Sequence, residues 1–179
     1  IERTILQESG GIQDHIWASY GGFNSIEIQP TGEFNVKPMP ITSEFKQALE
    51  DSMVLIYTND QRDQNEIAKS HENKNKINIL NIAKEAYTAF NAEDIKSIGC
   101  LLYESWKEKT NISNLISNDK INAIMNDVMN MGAYGVKLLG SGGCGFILAM
   151  CDPSVKRKIN EKYSEVLLDF KFENGGVSE

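Results

Sequence analysis

Apolar residues recur at helical spacing in three consecutive stretches in the middle of the chain. The first set is Ile79, Ile82, Ala83, Ala86 and Phe90, the second is Ile95, Ile98, Leu102 and Trp106, and the third is Ile121, Ile124, Met125, Val128 and Met131. Intervals of three and four residues place such side chains on one face of a helix. The pattern therefore predicts three amphipathic helices, the third ended by Gly132 as its C-cap.

Strand patterns lie on both sides of these helices. Met53–Tyr57 is a continuous apolar run, and residues 134–139 and Phe146–Met150 flank a glycine-rich segment. Short apolar runs bounded by turn residues are typical of buried strands. Asp152-Pro153 favours a helix start, with an acidic N-cap and proline at the first position. In residues 166–172, large apolar side chains stand at every second position, Val166, Leu168, Phe170 and Phe172, which predicts a half-buried strand.

The first forty residues have a different organisation. A helix is predicted from about Gln13 to Tyr20, before Gly21-Gly22. Pro30-Thr31-Gly32 separates two short runs and predicts a β-hairpin. Pro38 and Pro40 follow, and we expect a domain boundary there. The whole pattern predicts an α+β fold in which an antiparallel sheet packs against helices.

Composition narrows the class of protein. The chain has 179 residues, 41% hydrophobic and 24% charged, with a net charge of 18 − 25 = −7. This is a globular composition, and its acidity argues against a general nucleic-acid or anionic-membrane binder. No apolar run approaches the roughly 18 residues of a membrane span.

The cysteine and histidine pattern predicts no metal site. Cys100, Cys144 and Cys151 have no CxxC spacing, and His15 and His71 have no ligand spacing. We expect reduced intracellular thiols that pack as small apolar residues.

The strongest local motif is the glycine loop, residues 140–145, with the sequence Gly-Ser-Gly-Gly-Cys-Gly. Glycines allow sharp turns and close approach, and consecutive N–H groups can bind an anion. No Gly-Lys-Ser/Thr follows, and a strand rather than a helix comes next, so this is neither a Walker A loop nor a dinucleotide fingerprint. A glycine-rich hairpin turn is the structural alternative. Lys137, before the loop, could face the same site or pack through its stem.

A second motif is Gly10-Gly11-Ile12-Gln13-Asp14-His15. Asp14 at a helix entrance could accept a proton from a substrate hydroxyl. It could equally be a solvated residue or a helix cap. Asp14 and His15 do not form a catalytic pair by themselves, because adjacent side chains on a helix diverge.

Together these motifs resemble a kinase superfamily. Residues 132–146 resemble the third conserved motif of the galactokinase, homoserine kinase, mevalonate kinase and phosphomevalonate kinase (GHMP) superfamily. Residues 11–14 with 21–24 resemble the catalytic-aspartate segment of its sugar kinase branch. Tyr57-Thr58, Arg62, Ile67 and residues 170–176 also fit that branch, with the greatest similarity to heptose 7-phosphate kinases.

The resemblance implies roles for individual residues. Asp14 matches the catalytic acid that orients and deprotonates the anomeric hydroxyl. Gly140, Ser141, Gly142, Gly143 and Gly145 match the third motif, which lines the active site. Arg62 could bind a substrate phosphate through its planar fork. The implied reaction transfers the γ-phosphate of ATP, with Mg²⁺, to a sugar phosphate, with heptose 7-phosphate giving the 1,7-bisphosphate. The implied location is the cytoplasm, with no nucleic-acid or membrane partner.

Such kinases are roughly twice this length and carry a Pro-x-x-x-Gly-x-x-Ser-Ser phosphate loop in their N-terminal half, which this sequence lacks. We therefore expect the C-terminal half of a two-domain kinase. Residues 1–40 would be the tail of the N-terminal domain, carrying Asp14, and residues 41–179 the C-terminal domain. The alternatives are another sugar 1-kinase of the superfamily, of fucose or galactose type, and a non-catalytic sugar-binding module.

Overall fold

A computed structural model describes residues 12–59 and 77–177. Its helices are α1 (Gln13–Tyr20), α2 (Ser43–Ser52), α3 (Ile77–Asn91), α4 (Ile95–Thr110), α5 (Asp119–Asn130) and α6 (Pro153–Tyr163). Its strands are β1 (Asn24–Ile28), β2 (Phe34–Pro38), β3 (Met53–Tyr57), β4 (Gly135–Leu138), β5 (Phe146–Met150) and β6 (Leu167–Leu168). The chain forms two compact units. The sheet unit holds the described residues of Asp51–Asp169, and the hairpin unit those of Gly11–Glu50 and Phe170–Glu179.

The sheet unit is built on a four-stranded antiparallel sheet with strand order β4-β5-β3-β6. The predicted α+β class with an antiparallel sheet is confirmed. Val136 pairs with Ala149, which pairs in turn with Val54, so apolar side chains from three strands lie on one face. The expected division of domains at residue 40 stays a prediction, because compact units and family domains need not coincide.

Helices α5 and α6 supply side chains to the core of the sheet unit. Ile121, Val128 and Ile159 are fully buried and cluster with Ile56 and Ile147 of the sheet. Burial of one such side chain is worth roughly 1.5–3 kcal/mol, so this cluster contributes strongly to the stability of the unit.

The ends of α5 and α6 follow the sequence signals. After α5, Gly132 has φ +106° and its N–H donates to Met129 O, while the Ala133 N–H donates to Val128 O. This pair of bonds is a Schellman motif, which requires the left-handed backbone that glycine adopts readily. The Asp152 carboxylate accepts from the backbone N–H of Ser154 and Val155, confirming the predicted cap of α6.

Helix α4 packs against β4 through two glycines. A Cβ at Gly135 would lie 1.9 Å from Gly99 O, closer than any side chain allows. The backbones of helix and strand therefore meet directly, which fixes where the C-terminal turn of α4 lies along β4.

The predicted strand over 166–172 is wrong for most of its length. A short 3₁₀ turn covers Ser164–Val166, and only Leu167–Leu168 pairs with β3. Phe170 onward belongs to the hairpin unit. The apolar residues there contact α2 and Phe23 instead of extending the sheet. The ring centroids of Phe23 and Phe172 lie 4.8 Å apart.

The hairpin unit contains the predicted β-hairpin, with Ile26 paired to Val36. Its C-terminal tail, residues 170–177, binds two helices. Glu50 in α2 accepts from Lys171 Nζ at 2.7 Å and from the Phe172 N–H at 2.9 Å. The Val177 N–H donates to Ala18 O in α1. The tail therefore fixes α1 within this unit.

Two of the three cysteines are buried as predicted, and one is not. Cys144 and Cys151 are buried, whereas Cys100 is exposed on α4, so the expectation of burial is wrong for Cys100. Burial raises the pKa of the Cys151 thiol to about 11, which makes it a poor nucleophile. Among the helices that the structure describes, none combines the length and the apolar composition needed to span a bilayer.

Candidate functional site

The glycine loop joins β4 to β5 in the sheet unit. The Leu139 N–H donates to Phe146 O at the base of the loop. Gly140, Gly142, Gly143 and Gly145 have φ values of +72°, +120°, +78° and +112°. Four left-handed glycines in six residues explain why the sequence concentrates glycine here, since other residues reach these angles only with strain.

Two neighbouring segments anchor the loop. The Gly143 N–H donates to Ile116 O at 2.8 Å, in the connection between α4 and α5. Thr58, directly after β3, makes three bonds to Gly145. Its N–H and its hydroxyl both donate to Gly145 O, and its Oγ1 accepts from the Gly145 N–H. The loop is therefore more than a hairpin turn, because it is bonded to segments far away in the sequence.

The space around the loop is tightest at Gly142. A Cβ there would lie 2.8 Å from Ile116 O, while a Cβ at Gly140 would meet nothing within 4 Å. Ser141 Oγ is buried and has no hydrogen-bond partner in the structure. A buried unpartnered hydroxyl costs about 1–3 kcal/mol, so another group that completes its bonding would be stabilising.

Sequence reasoning missed a lysine beside this loop. Lys109, in the last turn of α4, donates from Nζ to Gly140 O. The two residues are 31 positions apart, and no local pattern connects them. Lys137 instead turns to α4, where its Nζ donates to Ser105 Oγ at 2.9 Å. Burial lowers the pKa of Lys137, and its role here is packing between β4 and α4.

Asp14 lies in the hairpin unit, exposed in the first turn of α1. The N-cap of α1 is Ile12, which makes no side-chain capping bond, so Asp14 is not the cap. Within the described residues the Asp14 carboxylate makes no hydrogen bond or ion pair. Gly21, with φ +64°, ends the helix and its N–H donates to Trp17 O. The geometry leaves the carboxylate available to a ligand.

Arg62, the residue expected to bind a substrate phosphate, lies outside the described residues. No group of three or more His, Cys, Asp or Glu able to hold a metal ion occurs in the described ranges.

The glycine loop carries the N–H groups of Gly140 and Ser141, for which the described chain provides no acceptor. These N–H groups suit a phosphoryl oxygen.

The region around the glycine loop matches a known protein family. Residues 86–166 match the family described as GHMP kinases C terminal. This match includes α4, α5, β4, the glycine loop, β5 and α6. Residues 86–166 therefore belong to a GHMP kinase C-terminal domain. The resemblance found in residues 132–146 is thereby confirmed.

Relatives of known name extend the similarity beyond this domain. The chain is 30% identical over 188 residues to D-glycero-alpha-D-manno-heptose 7-phosphate kinase of Campylobacter jejuni, covering 99% of this chain and 56% of that protein. A D-glycero-D-manno-heptose 1-phosphate kinase from Bacteroides thetaiotaomicron has a similar structure, with a TM-score of 0.71, 25% identity, and coverage of 98% of this chain and 50% of that one.

Galactokinase from Lactococcus lactis, solved with galactose, gives a TM-score of 0.68 at 16% identity, covering 99% of this chain and 58% of that one. At this identity the similarity shows the fold alone. The chain thus spans about half the length of the kinases that it matches, and a GHMP kinase C-terminal domain accounts for its central part.

Proposed function

We propose that this chain is the C-terminal portion of an ATP-dependent sugar kinase. The complete enzyme transfers the γ-phosphate of ATP to the anomeric hydroxyl of D-glycero-D-manno-heptose 7-phosphate and forms the 1,7-bisphosphate. The observation that carries the proposal is the glycine loop of the GHMP kinase C-terminal domain, where the N–H groups of Gly140 and Ser141 have no acceptor among the described residues and suit a phosphoryl group. The heptose is supported by the name of the Campylobacter jejuni relative.

In this proposal Asp14 orients the anomeric hydroxyl and accepts its proton. The sugar oxygen forms a bond to the γ-phosphorus, the bond to the β–γ bridging oxygen breaks, and ADP leaves. The carboxylate is exposed and makes no hydrogen bond or ion pair with residues 12–59 or 77–177, which suits this role. A carboxylate is a sufficient base because phosphoryl transfer through a loose transition state depends mainly on positioning and charge neutralisation.

The remaining parts of the site are assigned by their chemistry. The glycine loop lines the active site and binds a phosphoryl group there, and a phosphate loop in an N-terminal half supplies most of the backbone donors for ATP. Arg62 binds the 7-phosphate of the sugar. Mg²⁺ bound with ATP would supply charge neutralisation of the transferring group, and no described residue of this chain is assigned to it. The proposed use of ATP supports a cytoplasmic location for the complete enzyme.

Two other functions make different demands on the same residues. A fucose or galactose 1-kinase would keep Asp14 and the loop but would not need a cation for a second phosphate. A non-catalytic sugar-binding module would need no acid at position 14. Recognition of a sugar phosphate and the need for Asp14 are therefore the two properties to measure.

The test uses the complete protein, this chain with its N-terminal half. We expect turnover of ATP with heptose 7-phosphate, and a kcat/KM for unphosphorylated hexoses lower by more than roughly a hundredfold, because a site built for a phosphate is left with unpaired donors without it. A higher kcat/KM for fucose or galactose would show that the substrate is one of these sugars and not heptose 7-phosphate. Sugar binding without any phosphoryl transfer would favour the binding module.

A further inference from the structure

One peptide of the glycine loop is held from one side by a charged group. Lys109 Nζ donates to Gly140 O at a distance of 2.5 Å. No cis peptide bond occurs in the described chain, so the carbonyl of Gly140 and the N–H of Ser141 point to opposite edges of their shared peptide plane. The Lys109 ammonium therefore lies on the carbonyl edge of this peptide, and the Ser141 N–H points away from the opposite edge.

The donors of the loop divide into two groups. Those of Gly143 and Gly145 are used within the protein, on Ile116 O and Thr58 Oγ1. Within the described residues, no acceptor is found for the N–H groups of Gly140, Ser141 and Gly142. Ser141 Oγ is also unpartnered there. The capacity of the loop to bind an anion is therefore concentrated in its first half, Gly140 to Gly142, which includes the peptide that Lys109 bonds.

We propose that Lys109 is a positioning residue, which fixes the Gly140–Ser141 peptide so that the Ser141 N–H binds a phosphoryl oxygen. The inference rests on the proposed kinase function and adds a residue to it. Gly140 has φ +72° and no neighbour within 4 Å of a Cβ, so packing alone does not fix this peptide. The bond from Lys109 does.

The charge of Lys109 has a second effect. A cation on the carbonyl oxygen polarises the peptide, which strengthens the hydrogen bond that its N–H donates. Lys109 itself is placed by the direct contact of Gly99 with Gly135, which sets the position of α4 along β4. Through these contacts, the packing of α4 on β4 sets the orientation of one N–H group in the loop.

A structural role for Lys109 is the competing explanation. A lysine in the last turn of a helix that bonds a carbonyl can simply stabilise that end. Removing it would then lower the melting temperature and leave anion affinity unchanged. The two roles separate when anion affinity and stability are measured on the same variants.

The first experiment uses the 179-residue chain, ¹⁵N-labelled, and titrates pyrophosphate while the amide resonances of Gly140 and Ser141 are followed. In the wild type these two resonances should shift on titration. Lys109→Met should weaken pyrophosphate binding about tenfold, the usual range for a charge-assisted hydrogen bond, and Lys109→Arg should restore it. Lys107→Met is the matched control, because Lys107 lies in the same turn but over the Tyr103 ring, 5.1 Å from its centroid.

The second experiment identifies the source of the phosphoryl group. In the complete protein, Lys109→Met should raise the KM of either ATP or the sugar phosphate, and the affected substrate is the one that this peptide binds. Unmoved Gly140 and Ser141 resonances, or equal pyrophosphate affinity in wild type and Lys109→Met, would overturn the inference. Absence of kinase activity with these shifts intact would overturn only the proposed function.

Discussion

Asp14 occupies the first turn of α1 without belonging to its cap, since Ile12 is the N-cap and makes no side-chain bond. In the complete protein we expect Asp14→Asn to lower kcat by roughly 10²–10⁴, the range of general acid–base catalysis. The melting temperature should change by less than about 3 °C, because only the interaction with the helix dipole is lost.

His15→Gln is the matched control for Asp14, in the same exposed turn. It should leave kcat close to the wild-type value. An Asp14→Asn enzyme with normal kcat would mean that the base is a different residue, whatever its melting temperature.

Gly142 combines a left-handed backbone with a lack of space. Gly142→Val should lower kcat/KM of the complete protein at least tenfold, because valine at φ +120° costs about 1–3 kcal/mol and its Cβ would lie 2.8 Å from Ile116 O. Gly32→Val is the control. Gly32 has φ +88° in the hairpin turn with nothing within 4 Å, so it should lose stability and keep activity. Wild-type kinetics for Gly142→Val would show that the loop only connects β4 to β5 and has no part in the reaction.

At the scale of elements, the C-terminal tail and α1 are in backbone contact. A Cβ at Gly176 would lie 2.0 Å from Ser19 O, whereas a Cβ at Gly175 would lie 3.8 Å from its nearest neighbour, Glu173 Oε1. Gly176→Ala should therefore destabilise the hairpin unit by about 1–3 kcal/mol, the usual cost of overpacking.

Gly175→Ala should be nearly neutral. Trp17 lies in α1, and its indole N–H donates to Gly22 O, so its fluorescence in a Trp106→Phe background reports this unit during denaturation. Equal midpoints for the two alanine variants would show that the tail can move away from α1 at no cost.

The pairing of α2 with the tail gives a prediction about pH. The hydrogen bond from Lys171, together with the Phe172 N–H, holds the pKa of Glu50 below its ordinary value of 4.5. The folded state therefore favours the charged carboxylate, so this contribution is complete above pH 4.5 and is lost as the pH falls through the lowered pKa.

Glu50→Gln removes the charge and keeps the shape. The difference in unfolding free energy between wild type and Glu50→Gln, measured by urea denaturation, should be largest near pH 7 and shrink toward pH 3. A difference independent of pH across this range would contradict the assignment.

At this scale, the sequence predicts correctly those features whose stabilising contacts lie within a few residues of each other. The stripe of α5, its Gly132 end and the Asp152 cap of α6 arise within a few residues, and all three were predicted correctly. The strand over 166–172 failed because its alternation is produced by distant partners, Glu50 and Phe23. Lys109 was missed for the same reason, since its contact with Gly140 exists only once α4 has packed on β4.

At the scale of the whole molecule, the proposed function makes this chain the C-terminal portion of a kinase, and it predicts what that portion can do alone. We expect the 179-residue chain to show no measurable kinase activity and to bind ATP poorly. Catalysis requires two substrates held in one geometry, and this chain lacks the phosphate loop that would supply most of the donors for ATP. The measurement is ADP release with heptose or hexose phosphates. Turnover by the purified chain would contradict both the expectation and its premise.

The anchoring of the glycine loop has a thermodynamic consequence. The loop is bonded to Lys109, Ile116 and Thr58, three points distant in sequence, before any ligand is present. Fixing a backbone residue costs roughly 1–2 kcal/mol in conformational entropy, and here that loss occurs during folding. A phosphoryl group that reaches the loop therefore meets a preorganised receptor, and its binding enthalpy need not be offset by the ordering of the chain.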